Sequence, residues 1–270
     1  MENTLFADLS LNWERRCAVI AAAGFDGIYA VPYPLTDAEL IRLATLDAVP
    51  TRHGLKLTGV YANLDLAQPA DSIEANRVMA LFERTVGAPR IELSLKCSDP
   101  RALPMDLDAA LASRLEPLLA IAARRGFDLA LYPHSFYPLD TPAHAAKLVA
   151  LSGHPRLRYV FATSHVYAVS TADETLAQLR DCASQIASFN ICGCRRTAGI
   201  PSKCMHLPLD EGDLDLAPLF AALIQGGYVG EIIVQGHGWR GHLPAMLKRC
   251  MSAFSKILLP PAVANINRSL

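Results

Sequence analysis

Residues 128–162 read DLALYPHSFYPLDTPAHAAKLVALSGHPRLRYVFA, and this stretch holds one complete repeat of the fold. The apolar run Leu129–Tyr132 predicts a strand, and Tyr159–Ala162 predicts the next one. Between them, Thr141–Leu151 has apolar residues at helical spacing, a proline in its first turn and a glycine after its end. Proline suits a first turn, where its missing N–H has no helical partner, and glycine suits a C-terminal cap. The stretch is therefore a strand–helix–strand unit.

The same rhythm of strand and helix runs along the whole chain. Short runs with nearly continuous apolar character are typical of strands that are covered on both faces. Strict alternation of strand and helix predicts a parallel sheet with right-handed crossovers. Eight such units predict a single (β/α)8 barrel domain over residues 1–270, with a C-terminal surface extension at 258–270. The predicted strands begin near Thr4, Gly27, Lys56, Arg90, Asp128, Arg158, Ile186 and Glu231.

The helices between these strands are predicted from apolar spacing and from the residues that begin and end them. Several start after Asp or Thr and stop at Gly, as helices commonly do. Besides the helix in the opening stretch, they are Trp13–Ala23, Asp37–Thr51, Asp71–Val86, Asp106–Arg125, Thr171–Cys182, Leu216–Gln225 and Leu243–Phe254.

Composition limits the class of protein. The chain has 270 residues, of which 51% are hydrophobic and 19% charged, enough for a large core. A net charge of −1 argues against a nucleic-acid partner, which would favour a basic excess. The apolar runs are too short to span a membrane, and no signal peptide is evident. We therefore expect a cytoplasmic protein with seven reduced cysteines, a small-molecule substrate and possible homo-oligomers.

A barrel of this type carries its chemistry at the C-terminal ends of its strands. In this sequence most of the polar and imidazole groups follow the last four predicted strands. The residues at or after strand ends are Asn63, Asp65, Lys96, Ser98, Tyr132, His134, Ser135, Thr163, Ser164, His165, Asn190, Cys192, Cys194, Arg195, Arg196, Gln235, His237, Trp239 and Arg240.

Five short motifs resemble those of a known family. The clearest is DEGDLD at 210–215, followed by GYVGE at 227–231. The others are AAGFDGI at 22–28, HGLKL at 53–57 and LALYPH at 129–134. Together they resemble the xylose isomerase-like barrels, a superfamily of sugar and sugar-phosphate isomerases and epimerases. The resemblance covers nearly the whole chain and implies the barrel fold and a carbohydrate-like substrate.

The resemblance also implies a divalent metal held by a Glu, an Asp with a His three residues on, a second His and a second Glu. Here these positions fall on Tyr132, Ala162, His165, Asn190 and Gln235, so only the first histidine is kept. Hard divalent cations prefer carboxylate oxygens, and neutral ligands do not balance a +2 charge in a pocket of low polarity. The sequence therefore predicts that the usual metal site is lost, and no cofactor is expected.

Histidines are the strongest candidates for chemistry. His134, His165 and His237 follow different strand ends and could converge over the barrel mouth, where two imidazoles can act as general base and general acid. The alternative is a set of hydrogen-bonded loop histidines without a chemical role. We predict His165, His134 and Tyr132 as catalytic. The predicted substrate-binding residues are Asn190, Arg195, Gln235, His237 and Trp239.

Other groups leave alternatives open. Cys192, Cys194, Cys204 and His206 could bind zinc, although one residue between paired ligands is fewer than usual and Cys192 could equally be a buried strand residue. Arg195 and its neighbour Arg196 could hold a phosphate or carboxylate, or be a solvated pair. Trp239 could stack on a sugar ring or pack. Lys96 could form a Schiff base.

The function predicted from these residues is that of a sugar or sugar-phosphate isomerase or epimerase, or a lyase. It would act on a small polyhydroxylated or carboxylated substrate, without a metal, by histidine-based proton transfer next to a carbonyl. The main alternative is an inactive pseudoenzyme that keeps the pocket for ligand binding or regulation. A metal-dependent nuclease acting at abasic sites shares the fold but would need more metal ligands and a basic groove.

Overall fold

Seven parallel strands form the barrel in the computed structural model, which describes residues 12–200, 203–239 and 241–258. Each strand pairs with the next one along the chain, in parallel register. The predicted strand near Thr4 lies outside the described residues, as does the predicted extension beyond Leu258. The seven strands are β1 (Gly27–Ala30), β2 (Lys56–Asp65), β3 (Arg90–Lys96), β4 (Asp128–Leu131), β5 (Leu157–Ala162), β6 (Ser188–Ile191) and β9 (Glu231–Val234).

The sheet is curved into a nearly closed barrel. Tyr29 and Val31, at the first described strand, pack against Ile233 of the last one, so the two ends of the sheet meet inside. The outer faces of the strands and the inner faces of the helices form one large apolar core. The prediction of a single α/β barrel is therefore confirmed.

Helices alternate with the strands and cover the outside of the barrel. None of the described helices combines the length and the apolar character that crossing a bilayer requires. Two short 3-10 turns, at Leu43–Thr45 and Pro100–Ala102, supplement them. The helices are α1 (Trp13–Ala22), α2 (Asp37–Arg42), α3 (Ala48–Arg52), α4 (Ile73–Arg84), α5 (Leu107–Arg125), α6 (Pro142–Ser152), α7 (Thr163–Val169), α8 (Ala172–Cys182), α9 (Ala217–Gln225) and α10 (Leu243–Leu258).

The predicted helix Asp37–Thr51 is wrong as a single element. The structure divides it into α2, a 3-10 turn and α3. Pro50 has no N–H to donate to a carbonyl one turn earlier, so a continuous helix would lose a bond at this point. In the structure Pro50 lies in the first turn of α3, where that N–H is not needed.

A two-stranded hairpin between β6 and α9 was not predicted. Its strands are β7 (Gly193–Arg196) and β8 (Cys204–Leu207), which pair in antiparallel register with each other. The DEGDLD motif holds this hairpin, because the Asp213 amide donates to the Cys194 carbonyl at 2.6 Å. Gly212 has φ +109°, and a Cβ there would lie 2.6 Å from the Cys194 carbonyl oxygen, so no larger residue fits.

A buried carboxylate organises the polar interior of the barrel. Glu92 is fully buried and accepts hydrogen bonds from the Tyr29 hydroxyl at 2.8 Å, Arg90 Nε at 2.8 Å and the Ser188 hydroxyl at 2.6 Å. Asn190 Nδ2 also donates to it, at 3.2 Å. A buried charge is tolerated only when paired and hydrogen-bonded, and here both conditions are met.

We expect Glu92→Ala to lower the free energy of unfolding by about 3–5 kcal/mol, because it leaves the buried Arg90 without its main partner. Urea unfolding of the two proteins measures the difference. The control is Glu83→Ala, which removes an exposed ion pair with Arg124 and should cost less than about 1 kcal/mol. Equal losses in the two variants would contradict the structural role of the Glu92 network.

Candidate active site at the mouth of the barrel

A cavity of about 320 Å³ opens at the C-terminal ends of the strands, and we call it the mouth cavity. Its position is the one at which barrels of this class carry their active sites. Its walls come from the loops after six of the strands and from the hairpin. It is lined by Val31, Tyr33, Tyr61, Asn63, Lys96, Tyr132, His134, Ser135, Phe136, Tyr137, Ser164, His165, Lys203, Cys204, His206, Gln235 and His237.

Two histidines touch each other in this cavity. The ring centroids of His134 and His165 are 3.7 Å apart. His134 Nδ1 lies 2.6 Å from the carbonyl oxygen of Ser135. A carbonyl only accepts, so Nδ1 carries the proton of the neutral ring and Nε2 keeps its lone pair. His134 is therefore held in the tautomer that accepts a proton at Nε2.

His165 is placed by the direct junction of β5 and α7, without an intervening loop. Its Nδ1 lies 3.1 Å from the hydroxyl of Ser135, so one serine orients both imidazoles. Tyr137 stacks on the other face of His134 at 4.1 Å between ring centroids. The pair is thus fixed on both sides by groups from the loop after β4.

Burial controls the charge of the histidines. It lowers the pKa of His134 to about 4 and that of His165 well below its usual value. Repulsion by His134, His206 and His237 lowers the pKa of His165 further. These rings are therefore neutral at pH 7, and a proton taken up by one ring opposes protonation of the next.

A hydrogen-bonded group of neutral side chains forms the floor of the cavity. Gln235 donates from Nε2 to the Tyr132 hydroxyl, and the Ser164 hydroxyl donates to Gln235 Oε1 at 3.4 Å. The Asn190 amide, which donates to Glu92 at 3.2 Å, faces the Tyr132 hydroxyl and opposes the rise of its pKa. Burial raises the pKa of Tyr132 well above its usual value, so the phenol stays protonated and its O–H is available to donate.

The hairpin adds a second pair of histidines. His206 on β8 lies 6.2 Å from His165 and 5.7 Å from His237, between ring centroids. Burial lowers the pKa of His206 to about 4, with smaller effects of His237 and His134. In the sequence His206 stands out only as a possible zinc ligand, because the pattern of residues does not predict the hairpin that carries it to the cavity.

The structure brings together only some of the predicted site residues. His134, His165, Tyr132, Gln235 and His237 line the mouth cavity, and Asn190 lies directly beneath it. The other two predicted substrate contacts are not among the lining residues. Arg195 pairs with Asp213 at 3.5 Å, and Trp239 is buried in the apolar core. Both residues follow predicted strand ends. Arg195 lies on the hairpin and its side chain pairs with Asp213, whereas the side chain of Trp239 packs into the core.

The cysteine cluster is packed inside the hairpin rather than arranged as a metal site. Cys192 Sγ and Cys194 Sγ are 3.5 Å apart, and burial raises the pKa of Cys192. His206 faces the mouth cavity, where its ring neighbours are His165 and His237. Within the described ranges, no group of three or more His, Cys, Asp and Glu residues is arranged to hold a metal ion. All seven cysteines are free thiols.

Two exposed aromatic residues at the rim were missed. Tyr33 and Phe136 line the cavity with 63% and 62% of their surfaces exposed. Phe136 has φ 76°, a region that bulky residues avoid. Its position five residues after the end of β4 is the only signal in the sequence, since an isolated Phe in a loop carries no further information.

Comparison with known families identifies the class. The family model described as xylose isomerase-like TIM barrel matches residues 17–250. The chain therefore belongs to the xylose isomerase-like TIM barrel family, as the sequence motifs predicted. No curated protein matches the sequence.

Solved structures share the fold at low sequence identity. A xylose isomerase domain protein from Alicyclobacillus acidocaldarius has a TM-score of 0.71 and 19% identity, over 97% of each chain. The 3-keto-D-glucoside 4-epimerase from E. coli has a TM-score of 0.67 and 17% identity, over 91% of this chain and 93% of that one. The D-psicose 3-epimerase from Clostridium cellulolyticum H10, solved with D-tagatose, has a TM-score of 0.66 and 18% identity, over 96% and 93%. These similarities concern the fold.

Proposed function

We propose that this protein is an isomerase or epimerase that moves a proton next to the carbonyl group of a small carbohydrate-like substrate. The observation that carries the proposal is the contact between His134 and His165, at 3.7 Å between ring centroids, inside a cavity whose lining also includes hydroxyl and amide side chains. Fold alone would not support this, because barrels host many chemistries. Two epimerases among the structural neighbours agree with it.

The proposed step uses the tautomer that Ser135 sets. His134 Nε2 takes the proton from the carbon next to the carbonyl, and the electron pair of the C–H bond moves to form an enediolate. The Tyr132 O–H donates to the developing oxyanion and is itself polarised by the hydrogen bond from Gln235. Return of the proton from His134 Nε2 to the neighbouring carbon gives the isomer. Delivery of a proton from water to the opposite face of the same carbon gives the epimer, and His134 then releases its proton to solvent.

The pair of histidines suits this step for an electrostatic reason. His134 and His165 are too close to be protonated together, so the pair carries one proton at a time. Burial holds the pKa of His134 at about 4. The negative charge that forms on the substrate stabilises the protonated imidazole and raises its pKa toward that of a working base.

The donors at the family's metal positions do not fit a divalent ion. Gln235 donates to the Tyr132 hydroxyl, Asn190 donates to Glu92, and the Tyr132 phenol stays protonated. Ala162 supplies no donor atom. A hard cation would have no anionic oxygen at these positions. We therefore propose that the reaction runs without a metal.

Hydrogen exchange tests this proposal. We expect the protein, after chelator treatment and with metal removal verified by elemental analysis, to incorporate solvent deuterium next to the carbonyl of D-fructose, D-tagatose or D-fructose 6-phosphate. Proton NMR in D2O measures the exchange. Exchange that stops on chelation and returns with Mg²⁺ or Mn²⁺ would show that the reaction needs a metal.

A pseudoenzyme is the second candidate. The depressed pKa of His165 and the raised pKa of Tyr132 favour it, because neither group titrates near pH 7 in the empty cavity. This candidate expects saturable binding of the same compounds by calorimetry with no deuterium exchange.

A further inference from the structure

The charged side chains among the described lining residues of the mouth cavity have one sign. None of the described residues that line it is an aspartate or a glutamate, whereas two are lysines and four are histidines. The sequence as a whole has 25 basic and 26 acidic residues, so this composition is local. A cavity with cationic groups and no carboxylate favours an anionic ligand over a neutral one.

The two lysines differ in what neutralises them. Lys96 Nζ lies 3.0 Å from Glu74 and 3.7 Å from Asp65, so its charge is already balanced. Lys203 has no ion-pair partner in the part of the chain that the structure describes. It is exposed on the hairpin beside His237, where partial desolvation and the charge of Lys203 lower the pKa of His237. Among the described residues that line the cavity, Lys203 therefore carries the cationic charge that no carboxylate balances.

His206 provides an independent sign of a missing partner. Its Nδ1 is buried and has no hydrogen-bond partner among the described residues. Buried polar atoms in proteins are nearly always paired, so a nitrogen without a partner beside a cavity points to a group that binds there. His206 and His237 are neighbours, with 5.7 Å between ring centroids, and they face the cavity with Lys203.

We propose that Lys203, His206 and His237 form a subsite for the carboxylate or phosphate group of the substrate. The subsite lies beside the His134–His165 pair, with 6.2 Å between the ring centroids of His165 and His206. The carbon chain of a sugar spans such a distance with about five C–C bonds of about 1.5 Å each, because each bond advances the chain by less than its own length. The inference rests on the proposed function in one respect, namely that the ligand is a substrate, and it narrows the substrate to a sugar acid or sugar phosphate.

Binding of an anion at this subsite is coupled to protonation. His206 faces His237, His165 and His134, and His237 also faces Lys203, with no carboxylate among the lining residues to offset them. An anion placed among these groups raises the pKa values of His206 and His237 and favours uptake of a proton. Affinity should therefore increase as the pH falls from 8 to 6, in contrast with a ligand held by Lys203 alone.

Calorimetry with matched ligand pairs tests the subsite. We expect D-fructose 6-phosphate or D-gluconate to bind at least about tenfold more tightly than D-fructose or D-sorbitol, since a charge-assisted hydrogen bond contributes about 1.5–3 kcal/mol and 1.4 kcal/mol is tenfold in affinity. Lys203→Met should weaken binding of the anion about 10- to 100-fold and leave the affinity for the neutral ligand unchanged. Lys248→Met, on the exposed face of α10, is the control and should leave both unchanged. The preferred member of the anionic pair identifies the group as phosphate or carboxylate, and heats in two buffers of different ionisation enthalpy measure the proton uptake.

Equal binding of charged and neutral ligands, or an unchanged affinity in Lys203→Met, would overturn the subsite. Its failure is distinguishable from failure of the proposed function. Tight anion binding without deuterium exchange would leave the subsite in place and refute the enzyme. Exchange on neutral ketoses, with no preference for an anion, would leave the enzyme in place and refute the subsite.

Discussion

Substitution of His134 by glutamine is expected to lower the rate of proton exchange by about 10²–10⁴-fold, the usual contribution of a general base. Glutamine is close to imidazole in size and keeps an amide donor for the Ser135 carbonyl, but it has no lone-pair nitrogen of suitable basicity. The measurement is the initial rate of deuterium incorporation at saturating substrate. The fold should survive, because His134 lies at the cavity and not in the apolar core.

The companion variants make the result interpretable. If His165 shares the proton with His134, His165→Gln should lose a similar factor, and the double variant much less than the product of the two. His242→Gln, an exposed histidine outside the mouth cavity, should keep the wild-type rate. Wild-type rates in both single variants would exclude the histidine mechanism. Tyr132 and Lys96 would then be the remaining candidates for proton transfer.

Acid is expected to destabilise this protein well above the pH at which its carboxylates are protonated. His134 and His206 have a folded pKa of about 4, whereas the pKa of an unfolded histidine is about 6.5. Between these values the unfolded state binds more protons, so the free energy of unfolding falls as the pH falls. The contribution is fully present above pH 6.5 and is lost on approach to pH 4, at up to about 3 kcal/mol for each histidine.

Urea unfolding at several pH values between 7 and 4 measures this loss. The double variant His134→Gln/His206→Gln should show a flatter profile over the same range, because two of the responsible groups are absent. Asp65 titrates lower: although burial opposes this, the amides of Ser98 and Ala67 lower its pKa, so its effect falls below about pH 4. An equally steep profile in the double variant would show that other groups control acid stability.

The repeating architecture could be predicted because it is encoded locally. Each predicted strand within the described residues overlaps an observed one, and the helix ends followed residues whose chemistry fixes them. Gly153 ends α6 with φ 58°, and Thr141 caps its start by accepting from the His144 amide at 3.2 Å. The convergence of His134, His165 and Gln235 followed from the same pattern, because strand ends share one face of a barrel.

Helix α7 and the hairpin could not be predicted, because they depend on contacts between residues that are far apart in the sequence. Helix α7 contains three β-branched residues in seven and has no side-chain cap, so its local sequence does not favour a helix. It forms because its buried side chains pack against the barrel and the hairpin. The hairpin strands show no alternation of apolar and polar residues, and their pairing is fixed by close contacts with the Pro208 and Gly212 backbones.

The hairpin is a separate structural unit at the mouth cavity, because it is not part of the barrel sheet. Strands β7 and β8 share no ladder with the seven barrel strands among the described residues, yet they deliver His206 and Lys203 to the cavity. Two of the three residues proposed to bind the ligand's charge, Lys203 and His206, therefore sit on one short segment, whereas His134 sits on the loop after β4 and His165 on α7. Exchange of residues 193–207 between relatives is therefore expected to change the preference for the charged group of the ligand, as long as the new segment keeps the contacts with α7, the helix that carries His165.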